Sequence, residues 1–164
     1  GFASDVVAAK FAAFRKKARA LRFSKRTEYA LRAMVQLARL DPGQYVQSRD
    51  LARQEKLPNK FLESVLLGLK RFGYLESKVG AGGGYKLLKQ PRAITIGQLL
   101  RTLDSLEGAD PTRPDQPAGE VALGIVQQRL AQAHADTLDK LTLEDLVDEV
   151  RKLTAANREE MYFI

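Results

Sequence analysis

One stretch, Ser48 to Leu88, constrains the fold of this chain more than any other. Ser48 can cap a short helix, Arg49–Glu55, that buries Leu51 and Ala52. Lys56-Leu57 reads as a tight turn, and Pro58 suits the first turn of a second helix, where a missing N–H costs nothing. That helix runs to Phe72, with Gly73 as its stop. Phe61, Leu62, Val65, Leu66 and Leu69 recur on its core side, which leaves Asn59, Lys60, Glu63, Ser64, Lys70 and Arg71 outside. Two strands follow, Leu75–Val79 and Tyr85–Leu88, joined by Gly80-Ala81-Gly82-Gly83-Gly84. Such a tip needs positive φ, which glycine supplies without steric cost. Two short helices and a glycine-tipped hairpin predict a mainly α fold, a winged helix-turn-helix with a two-stranded wing. A module of this kind places its second helix in a DNA major groove.

The flanking segments extend the pattern. Ser24 can cap a helix reaching about Leu40, with Tyr29, Ala30, Ala33, Met34, Leu37 and Ala38 on its buried face and Asp41-Pro42-Gly43 as its stop. Thr95 and Gln98 have capping-box spacing ahead of a helix to about Leu106. Residues 23–106 thus form the predicted DNA-binding domain. Residues 107–118 hold Gly108, Pro111, Pro114 and Pro117 and read as a linker. Gly119–Thr137 then reads as a long C-terminal helix. Its Leu123, Val126, Leu130, Ala133 and Thr137 recur at the spacing of a coiled-coil seam, which Ala122 and Ile125 widen. The same stripe could pack on its own domain. A helix this apolar, set beyond a linker, points instead to a homodimer. Thr142 caps a last helix with Leu143, Leu146, Val147, Val150 and Leu153 on one face, so residues 119–164 make up a helical dimerisation region. Residues 1–22 form a basic amphipathic extension that could pack on the body, lie near DNA phosphates or serve as a leader.

Charge follows this division. Residues 1–89 hold 19 Lys+Arg against 7 Asp+Glu, and residues 90–164 hold 8 against 13, which together give the net +7. A basic half that carries the helix-turn-helix suits a polyanion, and the acidic half would stay off it. No apolar run reaches the roughly 20 residues that span a bilayer, so no membrane partner is expected. The chain has no cysteine, which excludes disulfides and thiolate-held metal and fits a cytoplasmic location. His134 is the only histidine and makes a poor metal site. Glu144-Asp145 and Asp148-Glu149 look like a solvated face, and no nucleophile–base pair is visible, so neither an enzyme nor a cofactor is expected.

The expected DNA contacts follow from residue chemistry. Lys60 can donate to guanine, Asn59 can pair with adenine and Glu63 can accept from cytosine, all within the first two turns of the second helix. Lys25 and Arg26 begin a helix, where N–H groups and cations suit a phosphate, although a plain cap with solvated charges would look the same. Ser48, Arg49 and Lys70 add backbone contacts, and Lys78 and Lys86 flank the tip and could reach phosphates. Gly80, Ala81, Gly82 and Gly83 are small enough for close approach to a minor groove.

From about Leu21 to Glu107 the chain resembles the Rrf-two family of regulators. The resemblance rests on FSKRTEYALRAMVQLA, LPNKFLESVLLGLKRFGYLES, VGAGGGYKL and ITIGQLL, with the late TLEDLV fitting the family's closing helix. It implies a homodimer whose long C-terminal helices cross and a palindromic double-stranded DNA operator. It also implies base reading at Lys60 and Glu63 and a minor-groove wing at Gly80 to Gly83. Cluster-sensing members place three cysteines in the segment matching 107–118. This chain has none, so sensing through an iron–sulfur cluster is ruled out. The family wing often has Arg where this chain has Val79. The resemblance leaves a small-molecule or protein effector, or constitutive repression, open. A protein-interaction adapter built on a winged helix is the competing expectation.

Overall fold

The computed structural model describes residues 23–40, 43–104, 113 and 115–162, together with Val6, Ala9, Lys10 and Ala12. Most of the predicted extension over 1–22, the Asp41-Pro42 stop and most of the 107–118 linker lie outside the described residues.

Six α-helices and one hairpin make up the described chain. Helix α1 is Lys25–Arg39, α2 is Ser48–Glu55 and α3 is Asn59–Arg71. The antiparallel strands β1 (Leu75–Lys78) and β2 (Gly84–Leu87) follow, then a 3-10 turn at Pro91–Ala93. Helices α4 (Ile96–Asp104), α5 (Ala118–Leu138) and α6 (Leu143–Tyr162) complete the order.

Ser24 caps α1 as its sequence suggests, its Oγ accepting from the Thr27 backbone N–H at 3.1 Å. The apolar face of α1 (Ala30, Ala33, Met34, Leu37) meets Leu51 of α2 and Leu62, Val65, Leu66 and Leu69 of α3 in one core. Leu75, Ile94, Leu99 and Leu100 close that core from the hairpin and α4. Leu143 at the start of α6 is fully buried in it too, so the last helix belongs to the same body as the helix-turn-helix. A short bridge pairs Thr95 with Thr142, with Ile96 N–H donating to the Leu141 carbonyl at 2.8 Å and Leu143 N–H to that of Ile94 at 2.8 Å.

Several local expectations need correction. Ser48 is the first residue of α2 rather than its cap; Gln47 holds the cap position with no side-chain bond. Phe61 is not a core residue: it is 41% exposed and stands edge-on to Tyr29, ring centroids 5.1 Å apart. Of the Thr95–Gln98 capping box, only the bond from Gln98 N–H to Thr95 Oγ1 forms, at 3.3 Å. The full reciprocal box opens α6 instead. There Asp145 N–H donates to Thr142 Oγ1 at 3.1 Å and Thr142 N–H to Asp145 Oδ2 at 3.0 Å. Those bonds, the backbone one first, hold the Asp145 carboxyl below its ordinary range.

Candidate nucleic-acid interface

The turn between α2 and α3 is built by Lys56, whose left-handed backbone (φ 55°) is the only positive φ outside glycine among the described residues. Its N–H donates to the Arg53 carbonyl at 3.3 Å and Leu57 N–H to that of Ala52 at 2.8 Å, the two bonds of a Schellman stop. Glu55, at the end of α2, is tied back to α1 by the Arg32 guanidinium at 3.0 Å and by the Gln36 amide. Arg32 also donates to the Glu55 backbone carbonyl. These bonds fix the angle at which α3 leaves the body.

The first turns of α3 face solvent. Asn59, Lys60 and Glu63 are all exposed. Glu63 Oε1 accepts from Asn59 Nδ2 at 3.2 Å and from Ser48 Oγ at 3.2 Å, so one carboxylate links the starts of both helices. Arg49 is exposed beside this network. The Arg26 guanidinium lies over Gly68 of α3: a Cβ added there would sit 3.1 Å from its Nη2. Lys25 is exposed and 3.4 Å from Glu28.

The wing is anchored at two points. Lys70 Nζ, near the end of α3, donates to Ser77 Oγ of β1 at 2.6 Å. Val46 and Tyr85 exchange backbone bonds of 2.9 and 2.8 Å, which join the loop before α2 to β2. Gly84 makes that second join, since its φ is +129° and a Cβ there would collide with the Val46 carbonyl. Gly80, Ala81 and Gly82 are exposed at the tip; Gly83 is buried, packed against the Lys78 carbonyl.

The two wing lysines differ in environment. Lys86 lies opposite Glu76 in the hairpin and pairs with it at 2.8 Å, and its Nζ also sits 4.7 Å above the Tyr45 ring. The Glu76 hydrogen bond raises the Lys86 pKa, and the same bond lowers that of Glu76. Lys86 thus fastens the wing base to Tyr45. Lys78, exposed and 5.9 Å from the same ring, stands nearer the tip. Sequence reasoning missed Tyr45, Glu76 and Ser77. The expected tip, Gly80 to Gly84, would set Lys78 across from Lys86; the hairpin turns at 79–83 instead, with Gly84 in β2, and that register sets Glu76 there.

A basic helix-turn-helix with an exposed second helix and a glycine wing matches one known family along most of the chain. The profile of Rrf2, described as an iron-dependent transcriptional regulator, covers residues 23–149. The chain belongs to the Rrf2 family. The protein slr0846 of Synechocystis sp., named among HTH-type transcriptional regulators, is 32% identical over 148 residues, 88% of this chain and 99% of that one. The solved structure of CymR, the global cysteine regulator of Bacillus subtilis, superposes with a TM-score of 0.65 at 29% identity. It covers 79% of this chain and 98% of its own. The structure of IscR from T. potens gives 0.63 at 26%, covering 81% and 90%. Rrf2 proteins are DNA-binding transcriptional regulators, not enzymes. The family's description names iron, and this chain offers no cysteine thiolate to hold it. The chain has no cysteine and one histidine, and among the described residues no three of His, Cys, Asp and Glu come together.

Among the described residues, no helix is long and apolar enough to cross a membrane. Leu123, Val126 and Leu130 of α5 are each more than half exposed, with Ile125 at 46% and Ala133 also exposed, while Gly124 is buried.

Proposed function

We propose that this Rrf2 protein is a homodimeric repressor that reads a palindromic operator without an iron–sulfur cluster. Residues 23–106 supply the reading head and 119–164 the dimer contact. The carrying observation is the exposed start of α3. There Lys60 stands free of the Ser48–Glu63–Asn59 network, and that network holds its neighbours in fixed orientations. Lys60, Asn59 and Glu63 read base edges in the major groove. Lys25, Arg26, Ser48, Arg49, Lys70 and Lys78 meet phosphates, and Gly80, Ala81 and Gly82 approach the minor groove, with Gly83 buried beneath them. Lys86 acts with them by holding the wing base. The apolar stripe Leu123–Val126–Leu130–Ala133 supports the dimer, since a contiguous exposed stripe on a 21-residue helix is what a second copy would cover. A twofold dimer then demands two half-sites about one DNA turn apart. The residues 107–118 are the proposed point of entry for a small-molecule or protein effector.

In-vitro selection from random duplex DNA at near-physiological salt tests this reading. A palindrome should be enriched, and Lys60→Ala should weaken binding to it by roughly 1–3 kcal/mol and relax preference at one position of each half-site. Enrichment of no sequence, with a flat salt response, would replace it with a protein-interaction adapter.

A further inference from the structure

A cavity of about 500 Å³ opens on the body where the end of α1, the loop at Gly43-Gln44, the end of β2, the 3-10 turn and α6 meet. The size suits a small organic ligand. Leu37, Leu40, Leu87 and Leu88 give it apolar walls, and Leu88 is 52% exposed there. Its described lining also holds five cationic side chains, Arg39, Lys86, Lys89, Arg92 and Arg151, against one carboxylate, Glu144. Lys86 is already paired with Glu76, and Arg151 lies 3.8 Å from Asp148 on its own helix. Among the described residues Arg39, Lys89 and Arg92 form no ion pair. Glu144 and Arg151 are seven residues apart, two turns along one face of α6, so that face brings a cation to the cavity.

We propose that this cavity binds a small organic anion, one carboxylate or phosphate on a compact apolar body. Arginine forks bind such groups with charge-assisted, often paired, hydrogen bonds. The leucines would cover the rest of the molecule. The site differs from the DNA-reading face: none of Asn59, Lys60, Glu63 or the wing tip lines it. It does include Lys86, Leu87 and Leu88, the return strand of the wing and its continuation. An occupant would therefore join α6 to the wing base. Any effect on operator affinity rests on the DNA-binding reading, whereas the binding itself does not.

The test is an amide NMR titration of the full-length protein without DNA, using 4-phenylbutyrate, its neutral alcohol 4-phenylbutanol and inorganic phosphate as probes. Phenylbutyrate should give saturable shifts at Leu40, Leu88, Arg92 and Arg151, phosphate weaker shifts at the same amides, and the alcohol at least about tenfold weaker binding. Arg92→Gln and Arg151→Gln, which stay polar but lose the charge and the guanidinium fork, should each weaken phenylbutyrate by about tenfold while the spectra stay dispersed. Three results would overturn the proposal: no saturable shifts, shifts confined to the apolar stripe of α5, or acid and alcohol binding alike. Operator binding measured separately with and without phenylbutyrate keeps the two readings apart. A bound anion that leaves DNA affinity unchanged preserves the site and removes only its coupling.

Discussion

Thr27 is the one fully buried polar side chain among the described core residues, and its hydroxyl supports a specific claim. It donates to Asp104 Oδ1 at 2.5 Å, and Ser24 Oγ donates to the same oxygen at 2.8 Å. Two hydroxyls at the start of α1 thus hold the last residue of α4. Thr27→Val keeps the shape and removes the donor. A hydrogen bond to a charged group is worth about 1.5–3 kcal/mol. Asp104 keeps the Ser24 bond and partial exposure, so the loss belongs at the low end, about 1.5–2 kcal/mol. In a chain of this size that lowers the melting temperature by roughly 3–8 °C at fixed protein concentration. Thermal and urea unfolding of wild type, Thr27→Val, Asp104→Asn and the double variant would measure it. The double variant should be less destabilised than the sum of the singles by at least about 0.5 kcal/mol, as expected for groups in direct contact. Strict additivity, or a Thr27→Val variant as stable as wild type, would refute the argument. It would mean that Thr27 contributes only its methyl group to the core.

Other outcomes follow from the same geometry. Gly84→Ala should cost about 2–4 kcal/mol, since it loses the paired Val46–Tyr85 bonds as well as a favourable backbone. Gly43→Ala, at φ +89° with open space around it, should cost only about 1 kcal/mol, and similar urea midpoints for the two would count against the close approach at Val46. Leu130→Asp should turn a sedimenting dimer into a monomer and weaken operator binding; a wild type that already sediments as a monomer would remove the dimer from the proposal. Asp145 has a folded pKa below its unfolded value, so its cap stabilises fully above about pH 4 and fades as pH falls through the lower folded value. The stability gap between wild type and Asp145→Asn should therefore be open at pH 6 and shrink by pH 2.

Much of this architecture was legible because it rests on local signals. Gly73 stops α3 where its residue type says it should, at φ +83°, and Thr142 caps α6. The core leucines of α3 keep helical spacing, so their burial could be read directly. Phe61 had the same spacing and came out half exposed, because periodicity fixes a direction on the helix, not which neighbour lies there. Tyr29 fills that place with an edge-on ring. Ser48 misled for a related reason: its hydroxyl is used across the turn by Glu63, fifteen residues away, in place of the local cap. The Asp104 contacts, 77 and 80 residues along the chain, and the cavity beside α6 exist only after the chain has folded back, and no window of sequence carries them.

Helix α1 makes these distant contacts mechanically related. Its first turn holds the end of α4 through Thr27 and Asp104, its middle holds the end of α2 through Arg32, Gln36 and Glu55, and its last turn lines the cavity shared with α6. Leucines of α3 pack on the same helix. Reorienting α3 alone would break the Ser48–Glu63 bond to α2 and open a well-packed core, which is costly because such interiors tolerate few voids. Moving the whole head breaks neither. Under the dimer reading, the body that reads one half-site therefore shifts as a unit relative to its partner. A signal entering at 107–118 would then change the separation of the two recognition helices more readily than the geometry of either one. Spacer length in the selected operator is the quantity to follow. A signal acting this way changes the preferred spacing and leaves each half-site's base preference as it was.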